Sequence, residues 1–240
     1  MKTTVKTLLI ITFMLLAFSS YSQKSRMIGL WEAINVNVGE QNMTPVSKWF
    51  KFNSDGSSAA GNGWLQNSAG SWEYNEEDNT FSNYDSLGIE DRFGAFDVSF
   101  DKEYMYWERE EEGMKVKVTV KPIDELPMSP ADYLEGIWDL ESISEAEQDI
   151  TDTYDPNNKH YLHFRWDRII VYHTPVGERK TGYWHIHGHR SDITLLPHQE
   201  GEEAESWKIE VNEHELTMRG ISESNDEIKR VYSRRRTFPE

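Results

Sequence analysis

The chain has 240 residues, no cysteine and a formal net charge of −17 at pH 7. It therefore forms no disulfide, and its charge disfavours binding to nucleic acids and to anionic lipids. Hydrophobic residues make up only 37% of the chain, but aromatic residues reach 12%. Because disordered chains are poor in aromatic residues, this composition excludes a largely disordered protein and favours a core built from a few large side chains.

Residues 1–22 are typical of a secretory signal peptide. Lys2 and Lys6 precede an apolar stretch over 8–18, and Ser20-Tyr21-Ser22 places small residues at the spacing of a cleavage site. The stretch is too short to cross a bilayer, which takes about 20 apolar residues; an uncleaved anchor helix is the alternative. We therefore expect a periplasmic or secreted protein that is not stably inserted in a membrane once the signal is removed.

Beyond this segment, apolar residues recur at every second position, which is typical of half-buried β-strands. Glycine, asparagine and aspartate separate these segments, as they do in antiparallel hairpins. The pattern predicts an all-β protein. The alternating positions are Ile34, Val36 and Val38; Phe50 and Phe52; Phe96, Val98 and Phe100; Val116, Val118 and Val120; Leu162, Phe164 and Trp166; and Trp207, Ile209 and Val211.

The strand pattern occurs twice. Gly29-Leu30-Trp31 corresponds to Gly136-Ile137-Trp138, and Gly70-Ser71-Trp72 corresponds to Gly182-Tyr183-Trp184 at nearly the same separation. Two later pairs follow in the same order. They are Phe96-Asp97-Val98 with Trp207-Lys208-Ile209, and Met105-Tyr106-Trp107 with Leu216-Thr217-Met218. The repeat predicts two small domains, each of ordinary size.

The domain boundaries follow from this repeat. We predict a first barrel over 27–121, a proline-rich linker over 122–134 and a second barrel over 135–236. Proline has no backbone donor, so the linker cannot be a central strand. Pro130 follows Ser129, which predicts one short helical turn before the second barrel.

In the first copy, Gly-x-Trp opens the first strand, an aromatic strand leads into Asp55-Gly56, and a second Gly-x-Trp follows. In these features each copy resembles the lipocalin-like domain of exported proteins in Gram-negative bacteria. The second copy departs from the pattern, because Trp166-Asp167-Arg168 stands where the first has Asp-Gly. The resemblance implies two tandem antiparallel up-and-down barrels of about eight strands, which hold a small apolar ligand or are filled by their own side chains.

The tryptophans of the Gly-x-Trp motifs are predicted to be core residues rather than ligand contacts. Glycine lets the chain bend sharply at a barrel end, and the tryptophan that follows can close that end. This prediction covers Trp31, Trp72, Trp138 and Trp184.

Three histidines form the clearest candidate for chemistry. His185, His187 and His189 recur at alternate positions, and alternate residues of a strand share one face. Imidazoles bind zinc, copper or nickel, and His173, His198 or an acidic residue could complete such a site. The alternative is a polar strip on the outer face of a half-buried strand.

Two further groups of residues bear on function. Trp64 lies in a segment rich in glycine, asparagine and serine over 61–70, where it could contact a ligand at a barrel mouth or fold back on the core. The basic groups Lys229-Arg230 and Arg234-Arg235-Arg236 are predicted to form a solvated strand end.

The sequence contains no nucleophile motif, no phosphate-binding glycine loop and no histidine in the first copy, so we predict no catalytic residue and no cofactor. The expected function is that of an exported, non-enzymatic binding protein for a small apolar ligand. A protein-interaction module of an envelope or secreted assembly is the alternative, and histidine-based metal binding is a further one.

Overall fold

The computed structural model describes residues 23–186 and 190–238. The chain is all-β and folds into two closed, eight-stranded antiparallel barrels in tandem, which confirms the predicted fold class. It divides into two compact units, each built around one barrel. The predicted signal peptide over 1–22 lies outside the described residues, as do His187 and His189. Among the described residues, no helix is long and apolar enough to span a membrane.

Barrel 1 is a meander in which each long strand pairs with the next, and β1 closes the barrel by pairing with β9. A short helix, α1 (Gln23–Met27), precedes it, and a two-residue strand, β2, pairs with the end of β1. The strands are β1 (Gly29–Val38), β2 (Gln41–Asn42), β3 (Trp49–Phe52), β4 (Ser57–Asn62), β5 (Leu65–Asn75), β6 (Thr80–Asp85), β7 (Phe96–Phe100), β8 (Met105–Glu111) and β9 (Met114–Ile123).

Barrel 2 repeats this arrangement, and here β10 closes the barrel by pairing with β18. It is preceded by α2 (Pro130–Leu134), and α3 (Thr151–Tyr154) follows the short strand β11. The strands are β10 (Gly136–Glu145), β11 (Gln148–Asp149), β12 (Tyr161–Phe164), β13 (Ile169–His173), β14 (Arg179–Ile186), β15 (Asp192–Pro197), β16 (Glu205–Val211), β17 (Glu215–Gly220) and β18 (Ile228–Arg235).

Helix α2 confirms the predicted helical turn. Ser129 is its N-cap, and the Ser129 hydroxyl accepts a hydrogen bond from the backbone N–H of Asp132. In return, the Asp132 carboxylate accepts the backbone N–H of Ser129 at 2.7 Å, which completes a capping box. Pro130 takes the first helical position, where its missing N–H costs no hydrogen bond.

The opening Gly-x-Trp motif joins each short helix to its barrel. The indole Nε1 of Trp31 donates to the carbonyl of Met27 at 2.8 Å, and that of Trp138 donates to the carbonyl of Leu134 at 2.7 Å. Both tryptophans are buried. The glycine that opens each motif has a positive φ, 146° in the first barrel and 134° in the second, a conformation that favours glycine.

The second Gly-x-Trp explains how barrel 2 manages without Asp-Gly. The backbone N–H of Trp72 donates to the carbonyl of Gly56, and that of Trp184 donates to the carbonyl of Arg168. Arg168 therefore occupies the turn position of Gly56 and also has a positive φ, of 66°. Its guanidinium lies 4.2 Å from the centre of the Trp184 ring. Trp166 lies in the same turn and is exposed, so the strand alternation predicted there ends at β12.

In β1, one predicted inward position is wrong. Ile34 is 40% exposed because the pairing register of β1 with β9 shifts between Ala33 and Asn35. This β-bulge puts one extra residue in β1, so the inward face passes from Ala33 to Val36. Barrel 2 has the same irregularity at the same place in β10, between Leu140 and Ser142.

Candidate functional site

The strand registers bring the two barrels into correspondence. Trp31 pairs with Pro122 of β9, and Trp138 pairs with Arg234 of β18. Four residues before each of these partners, on the same inward face, β9 carries Val118 and β18 carries Arg230. Each of these two residues lines a cavity in its own barrel. The two cavities therefore occupy equivalent places in the fold.

The cavity of barrel 1 has a volume of about 420 Å³ and is lined mainly by aromatic and small apolar side chains. The wall is formed by inward side chains of β3, β6, β7, β8 and β9. The residues that dominate it are Phe50, Phe52, Phe81, Phe96, Trp107 and Val118.

Trp107 is at the centre of this aromatic wall. Its ring centre lies 5.0 Å from that of Phe50, 5.8 Å from that of Phe52 and 5.0 Å from that of Phe81. The Phe50 and Phe52 contacts are edge-to-face, the geometry that aromatic quadrupoles favour. The Trp107 side chain is buried, and its Nε1 has no hydrogen-bond partner among the described residues. The wall is thus preorganised by ring packing rather than by polar contacts.

Four polar residues of the cavity are paired with one another. The Ser58 hydroxyl donates to the Asn83 side-chain oxygen at 2.7 Å, and the Ser68 hydroxyl donates to the Asp85 carboxylate at 3.3 Å. Their hydrogen bonds lower the cost of placing polar groups beside an apolar space. These side chains therefore leave the cavity predominantly apolar in character.

The connection between β6 and β7, over 86–95, borders the open side of the cavity. Its residues 89–91 line the cavity and are exposed to solvent. Asp91 holds this connection to the barrel through an ion pair of 2.5 Å with Arg109, whose guanidinium lies 3.9 Å from the centre of the Phe96 ring. Leu87 and Ile89 on the same connection are exposed, 83% and 68%. The opening thus has an apolar edge.

Barrel 2 has larger and more polar side chains at the equivalent positions. In barrel 1, Phe50 lies opposite Ala60 in the register. In barrel 2, the equivalent residue Leu162 lies opposite Tyr172, so Tyr172 corresponds to Ala60. Tyr172 and Arg230 therefore stand where barrel 1 has alanine and valine. The resulting cavity, of about 380 Å³, is lined by Tyr154, His160, Tyr172, Lys180, Glu205 and Arg230 among others.

Trp64 is not at the barrel 1 cavity. The glycine-rich segment predicted as a long loop is a tight turn at Gly63 and Trp64, because residues 65–75 form β5. Trp64 is 72% exposed at this turn, and it is not among the described residues that line the cavity. It has neither folded back on the core nor reached the cavity.

The structure describes one of the three predicted metal ligands. His185 is exposed on β14, opposite Thr194 of β15, between the buried side chains of Trp184 and Ile186. This matches the predicted alternation of faces. No group of three or more potential ligands is found among residues 23–186 and 190–238, a range that leaves out His187 and His189. Metal binding by the three histidines stays a prediction.

The solvated strand end predicted for the basic groups is wrong for two of its arginines. Arg230 has a buried Nε, and Arg234 lies with its guanidinium 4.2 Å from the centre of the Trp138 ring. Both lie on the inward face of β18, two residues either side of the fully buried Tyr232. The alternation Arg230-x-Tyr232-x-Arg234 was the signal in the sequence that could have shown this.

Comparison with known proteins adds no functional assignment. No protein-family model matches the chain, and no curated protein matches it. The candidate sites therefore rest on the geometry of the two barrels.

Proposed function

We propose that this protein is an exported, non-enzymatic binding protein of lipocalin-like type, and that the cavity of barrel 1 takes a small apolar ligand. The observation that carries the proposal is the cavity of about 420 Å³ within a wall of aromatic rings. Protein sites for small molecules are concave, mostly apolar and commonly about 300–1,000 Å³ in volume. Barrels of about eight strands are wide enough to hold one such ligand.

Small side chains keep this space open. Ala60 and Val118 leave a gap beside the aromatic rings, at positions where the cavity of barrel 2 is lined by the larger and more polar Tyr172 and Arg230. Because the surrounding rings are fixed by contacts with one another, the wall does not collapse into that gap. A ligand that fills it replaces lost dispersion contacts and removes apolar surface from water, both of which favour binding.

The proposal predicts that Val118→Phe blocks the cavity. We expect the neutral fluorescent probe N-phenyl-1-naphthylamine to bind the unmodified chain with an increase in emission. Val118→Phe should weaken this binding at least about tenfold, because a tenfold loss of affinity takes only about 1.4 kcal/mol of binding free energy. The control is Thr119→Phe, because Thr119 is the adjacent outward position of β9 between buried Val118 and Val120. Fluorescence titration measures both.

The stability of these variants gives a second readout. A phenylalanine at position 118 can enter the cavity, whereas one at Val120, which is fully buried and does not line the cavity, overpacks the core. Overpacking typically costs 1–3 kcal/mol. The free energy of unfolding of Val118→Phe should therefore be closer to that of the unmodified protein than the free energy of unfolding of Val120→Phe is. Equal probe binding by Val118→Phe and Thr119→Phe would place the probe elsewhere and count against the proposal; a protein partner at the apolar edge of the opening would then be the leading alternative.

A further inference from the structure

Arg230 lies on the inward face of β18, where it pairs with Ile143 of β10 and with Met218 of β17. It lines the cavity of barrel 2. The residue as a whole is half-buried, but its Nε is closed off from solvent. A guanidinium in such a place is costly unless its donors and its charge are matched by partners.

The protein supplies few of these partners. The guanidinium lies 4.8 Å from the centre of the Trp207 ring and 5.8 Å from that of Tyr154, and the Tyr232 hydroxyl is beside it. Its Nε has no hydrogen-bond partner, and within the described part of the chain Arg230 belongs to no ion pair. Arginine has five N–H donors, and at least the one on Nε is unmatched by the protein.

Three titratable groups close to Arg230 are neutral at physiological pH, whereas the Glu205 carboxylate acts on the Arg230 charge without forming an ion pair with it. Burial, together with the charge of Arg230, lowers the pKa of His160 to about 4, and the His160 Nε2 lies 3.2 Å from the Tyr232 hydroxyl. Burial also raises the pKa of Tyr232, to about 12, and raises that of Tyr172. Arg230 is therefore the one charged group among these four buried or half-buried side chains.

The other charged residues that line the cavity are mostly acidic. Lys180 and Glu202 form an ion pair of 2.5 Å and offset each other. Glu203 is exposed, and half-buried Glu205 accepts a hydrogen bond from Trp207 Nε1 at 3.1 Å. With that pair set aside, the charged residues that line the cavity are Arg230, the exposed Glu203 and the half-buried Glu205.

We propose that the cavity of barrel 2 binds a small zwitterion, with a carboxylate at Arg230 and an ammonium group at Glu203 and Glu205. A simple carboxylate would satisfy Arg230 but would also meet the repulsion of the two glutamates. A simple amine would leave Arg230 unmatched. A molecule with both charges matches Arg230 and the two glutamates together, and the Tyr154 and Tyr172 rings line the cavity beside its carbon chain. This site is separate from the apolar ligand site of barrel 1 and does not depend on it.

Isothermal titration of the full chain at low ionic strength, with three six-carbon probes, tests the proposal. The probes are 6-aminohexanoate, hexanoate and hexylammonium, which differ only in their terminal charges. We expect 6-aminohexanoate to bind at least about five times more tightly than either of the others, a difference of about 1 kcal/mol. Hexanoate binding as tightly as 6-aminohexanoate, or no binding of the zwitterion, would overturn the proposal.

Substitution at Arg230 locates the site. Arg230→Met keeps the length of the apolar stem and removes the charge, so it is expected to weaken 6-aminohexanoate binding at least about tenfold. Lys229→Met is the matched control, because Lys229 is the adjacent residue of the same strand on the opposite face, and it should leave binding within about twofold. Circular dichroism establishes that each variant is folded. Unchanged binding by folded Arg230→Met would disprove the assignment.

A second variant, at Glu203, tests the proposal if Arg230→Met does not fold. Glu203→Gln changes an exposed side chain and should leave the barrel intact. It is expected to reduce the preference for 6-aminohexanoate over hexanoate by about threefold, because it removes one attraction for the ammonium group and one repulsion of the carboxylate. An unchanged preference would contradict the proposed orientation of the zwitterion.

Discussion

Replacement of Trp138 with alanine is expected to destabilise barrel 2 by about 3–5 kcal/mol. Trp138 is fully buried, its indole donates to the Leu134 carbonyl at 2.7 Å, and the Arg234 guanidinium covers its ring at 4.2 Å. The substitution removes the largest side chain at the point where α2 enters the core, breaks this hydrogen bond and leaves Arg234 without its ring contact. Because single domains are stable by only about 5–15 kcal/mol, a loss of this size threatens the folded state of barrel 2.

Hydrogen exchange of the β10 and β18 amides measures this effect in barrel 2 itself, since the slowest amides report its free energy of opening. Trp166→Ala is the matched control, because Trp166 is 78% exposed and its loss should change that free energy by less than about 0.5 kcal/mol. Trp138→Phe should lie between the two. A loss below about 1 kcal/mol for Trp138→Ala would contradict the structural role assigned to this tryptophan.

Barrel 2 is expected to lose up to about 3 kcal/mol of stability between pH 7 and pH 4 through His160 alone. The pKa of His160 falls from an ordinary value of 6.5 to about 4 in the folded protein, because of its burial and the nearby charge of Arg230. Between these two values the unfolded chain binds a proton at His160 and the folded chain does not. The stability that neutral His160 contributes to barrel 2 is therefore fully present above about pH 6.5. It declines as the pH falls and is lowest near pH 4.

Urea denaturation at pH 7.0, 5.5 and 4.5 measures this dependence. In His160→Asn the decline should be shallower than in the unmodified chain, by about 2.5 kcal/mol at most between pH 7.0 and pH 4.5. His214→Asn serves as the control, because His214 is exposed, and its profile should follow that of the unmodified chain. Identical profiles for His160→Asn and the unmodified chain would show that His160 titrates normally in the folded state.

The sequence by itself determined the architecture, through features that are local or periodic. Period-two alternation predicted the strands because each strand exposes one face to the core and one to solvent. The repeated Gly-x-Trp motifs predicted two equivalent barrels, and Ser129-Pro130 predicted α2 because a capping box depends on only a few consecutive residues. These predictions needed no knowledge of which strands become neighbours.

The residues of the two cavities were decided only by the tertiary structure. The bulge after Ala33 sets which side chains of β1 face inward, and a register depends on both paired strands. An open space depends on the summed volumes of side chains from many strands, so nothing in the local sequence marks Ala60 or Val118 as its walls. Likewise, the cluster of basic residues near the end of β18 predicts a solvated strand end, and only the closed barrel shows that Arg230 faces inward. The two barrels have one fold, and a few inward side chains give their cavities opposite chemical character.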